Sequence, residues 1–210
     1  MKTFFKKYRH AWVALYILIY FPWFFWLEKT VTDDFYLIQT SWDLKIPFIE
    51  YFIIPYLLWF FFIAVFVVFF FLKDANEFYK MTAFLITGMT IFLIISTVFP
   101  NGLTLRPTSF ERDNIFVDIC KGLWQADTAT NVFPSIHVYN SIVIAVAVVK
   151  SKHFTKHKWI KPGSVILAIL IILSTVFLKQ HSLIDVVGGI ALAIIIYPMI
   201  YMRKRKRERM

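Results

Sequence analysis

Long apolar runs separated by short basic stretches constrain this chain more than any other feature. Six such runs fall at residues 11–27, 48–72, 81–99, 134–149, 163–178 and 183–202. They are apolar in blocks, without the alternation of a half-buried strand or the single stripe of a surface helix. A helix needs roughly 17–25 apolar residues to cross a bilayer. Lipid admits only segments whose backbone groups pair internally. The expected fold is therefore all-α: a polytopic membrane protein, one domain over residues 1–210, built as a bundle of six transmembrane helices. Composition agrees, with 59% hydrophobic residues and 24 Phe among 210.

A net charge of +10 would suit nucleic acid, but its placement argues against that partner. Of the 23 Lys and Arg, 17 lie in Met1–His10, Lys73–Lys80, Lys150–Pro162 and Arg203–Met210. Six crossings put all four stretches on one side, and the positive-inside rule makes that side cytoplasmic. Both termini are then inside and the chain sits in the cell membrane, with the bilayer as its partner. No cleavable leader is expected, because Ala11–Leu27 is rich in Trp and Phe and has no small-residue cleavage site. Cys120 is the single cysteine, so no internal disulfide forms. Oligomeric state is left open.

The remaining segments are connections. Glu28–Pro47 mixes acids with Phe35, Tyr36, Trp42 and Ile46, the pattern of an interfacial segment on the outer face. Pro22 is placed to kink the first span. The longest polar stretch is the outer loop 100–133, and loops of that length are often functional.

Ionisable residues at membrane depth are costly and usually functional. Lys179, His181 and Asp185 lie between the fifth and sixth runs, and His137 opens the fourth in Pro134-Ser135-Ile136-His137. With Arg106, all fall on the outer side of the predicted topology. A helical register from His181 to Asp185 gives the two a common face. The carboxylate then holds one imidazole nitrogen and frees the other as nucleophile or base. A proline-led helix start with Ser135 offers phosphate-binding donors, and His137 can act as an acid. Gly188 and Gly189 permit close helix packing. Lys179 reaches His181 only if the chain near Gln180 is not helical. Read blandly, these are an interfacial histidine, a structural His–Asp pair and snorkelling cations. Two His and one Asp also form a possible zinc set. Magnesium asks for more carboxylates than Asp185 alone. Metal-free chemistry with no cofactor is the preferred reading.

At these residues the chain resembles the type 2 phosphatidic acid phosphatase superfamily, which also includes vanadium haloperoxidases. The family's Pro-Ser-Gly-His motif reads Pro134-Ser135-Ile136-His137. Its motif of Ser-Arg, five residues, His, three residues, Asp is met by Ser174, His181 and Asp185, with Thr175 in place of the arginine. Its motif of Lys, six residues, Arg-Pro is met by Arg106-Pro107, with Phe99 in place of the lysine. The resemblance covers roughly residues 81–202. It implies a membrane phosphatase acting on a lipid phosphate monoester or diphosphate. His181 would be the nucleophile, Asp185 its orienting group and His137 the proton donor. Arg106, Ser135 and Lys179 would contact the phosphate. The Lys179-Gln180-His181 run resembles the divergent branch with inositol phosphorylceramide synthases, which implies a phosphotransferase as the alternative. The two lost cations leave an inactive lipid-binding homologue as a third reading.

Overall fold

The computed structural model describes residues 8–202. A 3-10 segment, Arg9–Tyr16, runs into helix α1, Ile17–Thr30. Strand β1, Tyr36–Leu37, and the five-residue helix α2, Ser41–Lys45, follow. A 3-10 turn, Glu50–Phe52, leads into α3, Ile53–Lys73. Next come α4 (Ala75–Val98), β2 (Asn101–Gly102) and α5 (Ile115–Ala126). The chain closes with α6 (Ile136–Lys150), α7 (Ile160–Phe177) and α8 (Leu183–Tyr201). The basic stretches 1–7 and 203–210, on which part of the orientation argument rests, lie outside the described residues.

Among the described residues, five helical stretches are long and apolar enough to cross a membrane: Arg9–Thr30, Glu50–Lys73, Ala75–Val98, Ile160–Phe177 and Leu183–Tyr201. The expected fourth span, α6, has 15 residues. That is about 22 Å of helix, short of a hydrocarbon core of about 30 Å. Its surroundings explain the length. α6 packs against α3, α4, α7 and α8, and its Val138, Tyr139, Val143, Ile144 and Val148 are buried. A helix sheathed by protein need not match lipid thickness. The outer helices carry the lipid-facing surface instead. Trp12, Leu18, Phe61, Val98 and Ile194 are each more than 60% exposed, in a contiguous apolar surface that water would not tolerate.

Local chemistry moves several expected boundaries. The connection expected at Lys73–Lys80 shrinks to Asp74, whose Oδ1 accepts the N–H groups of Asn76 and Glu77 and so starts α4 at once. The outer loop 100–133 contains a helix, α5, capped by Asn114 through the N–H groups of Phe116 and Val117. α5 lays Val117 and Cys120 inward, and Cys120 packs with Ile53, Tyr56 and Leu178. The interfacial segment is also ordered. β1 pairs in parallel with β2, and α2 turns Trp42 and Leu44 outward while burying Asp43.

Two glycines set the close contact between α8 and the start of α6. A Cβ on Gly189 would stand 2.8 Å from the Ser135 carbonyl oxygen and 3.0 Å from Val138 Cβ. A Cβ on Gly188 would collide with the Phe133 ring. α8 thus lies directly against the start of α6, as the paired glycines suggest. The Ser135 N–H donates to the Asp185 carbonyl at 3.1 Å across the same contact.

Candidate active site

The start of α6 and the α7–α8 connection meet at one end of the bundle. Pro134 is not the first helical residue; it precedes the cap. Ser135 is the N-cap, and its Oγ accepts from the Val138 N–H at 3.3 Å. This places His137 in the first turn, its ring against those of Tyr56 and Trp59, with centroids 4.8 and 4.3 Å away.

The α7–α8 connection owes its shape to a Schellman-type end. Gln180 N–H bonds to the Thr175 carbonyl and Lys179 N–H to that of Val176, while Lys179 adopts φ 57°. The His181 N–H also reaches the Thr175 carbonyl. Ser182 then caps α8 in a reciprocal box: its Oγ accepts from the Asp185 N–H, and Asp185 Oδ2 accepts from the Ser182 N–H at 2.8 Å. His181 and Asp185 therefore meet through a cap. The expected common helical face is not formed, because α8 begins only at Leu183.

The structure brings together His137, His181 and Asp185. His137 Nδ1 lies 3.3 Å from His181 Nε2. His181 Nδ1 lies 3.4 Å from Asp185 Oδ2, longer than a hydrogen bond, and Asp185 is fully buried. The three groups stand in a line. Asp185 faces Nδ1, so the Nδ1–H tautomer of His181 is the favoured one. Its Nε2 is then an acceptor, and the His137 Nδ1–H donates to it.

The other expected residues are not in that line. Ser135 is fully buried, with its hydroxyl at the cap. Arg106 donates to the carbonyls of Trp124 and Thr128 at 3.0 and 2.9 Å and to Gln180 Oε1 at 2.6 Å. Burial lowers its pKa from the ordinary value, but a guanidinium stays charged. The chain is indeed non-helical at Gln180, as Lys179 required, yet the Lys179 ammonium turns to the carbonyls of Asp43 and Ile46. Burial lowers its pKa as well. Phe99, at the missing lysine position, stacks on Tyr36 with centroids 4.8 Å apart. Thr175, at the missing arginine position, is buried and donates to the Ile172 carbonyl.

A cavity of about 60 Å³ opens beside His137 and His181. That is several times the space one water needs. Its polar wall holds residues the sequence reading did not single out: Glu28 at the end of α1, Asp127 after α5, and Gln180. Glu28 was the one with a visible signal, an acid closing an apolar run. Gln180 joins the two sides, with Oε1 on Arg106 and Nε2 3.3 Å from Asp127 Oδ2. Asp127 has its pKa raised, first by burial and then by the charge of Glu28. Among the described residues, ligand atoms suited to a metal group at Asp74, Glu77 and His153, at the opposite end of α4 and α6.

A helical membrane bundle with paired imidazoles over a buried carboxylate defines an integral membrane protein equipped for nucleophilic and acid–base chemistry. The chain matches the PAP2 superfamily over residues 82–209, more than half its length, and belongs to that superfamily. Membership supports phosphatase or phosphotransferase-type activity on phosphate esters. No curated protein and no solved structure matches the chain.

Proposed function

We propose that this protein is a membrane lipid phosphatase working through a phosphohistidine. The observation that carries the reading is the Asp185–His181–His137 chain of contacts beside a cavity with room for several waters. His181 Nε2 forms the N–P bond while the ester P–O bond breaks. A proton on His137 goes to the departing alcohol oxygen. Asp185 holds the Nδ1 proton of His181 and offsets the charge that grows on the ring. Water then attacks phosphorus, gives its proton back to His137, and releases phosphate with His181 restored. The site needs no metal in this scheme.

The resting geometry adds a condition. An in-line transfer needs nucleophile to phosphorus and leaving oxygen to acid each near 3 Å, with the P–O bond between them, so the nitrogens must part to more than about 6 Å. At 3.3 Å they occupy each other. Substrate entry therefore breaks the His137–His181 contact, and the ring of His137 slides against Tyr56 and Trp59.

A second reading, transfer of a phosphoryl headgroup to an alcohol, is favoured by one observation. Phe99 and Thr175 stand where two phosphate-binding cations are expected, and neither faces the cavity. A phosphodiester carries less charge than a monoester and needs fewer cations. In either reading Arg106 serves the phosphate through its link to Gln180, and Ser135 through the helix start that it caps.

The test is to incubate purified protein with labelled lipid phosphates, with and without alcohol acceptors, and trap phosphoprotein. His181→Ala should abolish the trapped species. Asp185→Asn should lower turnover with KM little changed, by 10²-fold or more on the scale of a lost orienting carboxylate. His137→Ala should slow esters with poor leaving groups most. Wild-type levels of phosphoprotein in His181→Ala would rule out this nucleophile.

A further inference from the structure

The cavity beside the histidines is lined by acids, which is unexpected for a phosphate site. Among the described residues no lysine or arginine lines it, while Glu28 and Asp127 do. Glu28 is fixed in place from a segment about a hundred residues away. Its Oε2 accepts from the Thr128 hydroxyl at 2.6 Å, and its Oε1 from the Asn131 amide at 3.2 Å. Asn131 holds φ 54° to make that reach, a conformation asparagine tolerates better than most residues. Asp127 accepts from Gln180, whose other atom holds Arg106. Both carboxylates are thus oriented by donors and still have free acceptor directions, since each ionised oxygen takes two bonds.

An ionised carboxylate only accepts, and so does an ionised phosphoryl group. In their ionised forms Glu28 and Asp127 cannot bind the phosphate oxygens and would repel them. Their one productive neighbour is a donor on the other part of the substrate. We infer that Glu28 and Asp127 form a subsite for hydroxyl or ammonium groups on the alcohol esterified to phosphorus. This rests on the phosphoryl-transfer reading above. The subsite selects esters whose alcohol keeps a free O–H or N–H close to the phosphorus. Esters whose neighbouring oxygens are all acylated leave the remaining acceptor directions of the two carboxylates unfilled, a loss that sites built for hydrogen bonding tolerate poorly.

The burial data add support from the same residues. Asp127 titrates high because it is buried beside a second negative charge, an arrangement that a bound ammonium or hydroxyl relieves. The competing account is structural: Glu28 merely ties α1 to the 127–131 loop.

The test compares three chain-matched monoesters on the intact detergent-solubilised protein. Phosphatidic acid has no free donor, lysophosphatidic acid has a hydroxyl, and a sphingoid base phosphate has an ammonium and a hydroxyl. Expected is a kcat/KM preference of about tenfold or more for the donor-bearing esters. The hydroxyl and ammonium arms tell which donor dominates. Glu28→Gln and Asp127→Asn should each collapse the preference, chiefly through KM. A purely structural tie would change thermal stability and leave the ratio where it was. Equal use of all three esters by the wild type, or an intact preference in both variants, overturns the subsite while leaving the phosphohistidine reading standing. Absence of turnover on every ester and of trapped phosphoprotein removes both.

Discussion

Asp127 shows how a single residue can be set against the fold. Its carboxyl is buried, and Glu28 adds a negative charge nearby, so its pKa is raised in the folded chain. The folded state therefore holds the proton more tightly than the unfolded one. Stability from this group is fully present below the unfolded pKa and is lost as pH rises through the folded value. Asp127→Asn should then raise the unfolding temperature at neutral pH, with the gain vanishing in acid. Unfolding of both proteins in detergent across pH 3–8 measures it. A destabilised variant at neutral pH would mean that the carboxylate is net favourable to the fold through Arg106 and Gln180. Asp127 was invisible as a site residue because nothing local distinguishes it, and Glu28 showed only as an acid closing an apolar run. Only the closure of α1 against the 127–131 loop puts them beside the histidines.

At the scale of elements, the turn between α7 and α8 decides where His181 points. A Schellman end asks for a left-handed residue after the cap, most often glycine. Here it is Lys179, at φ 57°, with its ammonium fixed on α2 through the carbonyls of Asp43 and Ile46. α2 grips the turn a second time, where Asp43 Oδ1 accepts from the Leu183 N–H at 2.8 Å. α2 and Lys179 thereby hold the nucleophile's loop in place. Lys179→Ala should lose both the anchor and part of the backbone preference, costing about 1–3 kcal/mol. Lys179→Gly should recover the backbone part, since glycine adopts this conformation at little cost. Both should lower kcat more than they weaken vanadate binding. Weaker vanadate binding with undiminished stability would restore Lys179 to the phosphate, the role that the family resemblance implied. A second element-scale device is the α6–α8 contact at Gly189. Gly189→Ala has no room against Ser135 and should separate His137 from His181, seen as lost turnover with the helices retained.

For the molecule as a whole, the placement of charge bears on which side of the membrane the site faces. We propose that both termini and the Lys150–Pro162 loop are cytoplasmic, which places the histidines on the outer side. His137 and His181 share one end of the bundle, and Asp74 and the Lys150–Pro162 loop share the other. One marker at either end therefore fixes the orientation of the site. Single cysteines placed near Ser109 and Lys156, in a chain lacking Cys120, should label from outside intact cells at the first position only. Labelling at Lys156 alone would invert the orientation and open the site to the cytoplasm. The short central helix bears on mechanism too. α6 is enclosed by four helices, so its first turn is a rigid mount for His137. Substrate-driven parting of the histidines must then come from the imidazole rings.

The sequence by itself determined the membrane class, the number and order of apolar runs, and the three residues of the His–His–Asp line. Those depend on hydropathy over 15–25 residues and on motif spacing, which chain order preserves. It did not determine where the long side chains end. Arg106 and Lys179 look like phosphate ligands by charge and position, yet their donors go to carbonyls of Trp124, Thr128, Asp43 and Ile46. Those carbonyls are carried to them by segments up to 136 residues away. A buried carbonyl without a partner is costly, so the nearest cation is drawn to it whatever its motif implies. Tertiary structure decided that competition. It decided as well that a cavity beside two histidines has two carboxylates for a wall.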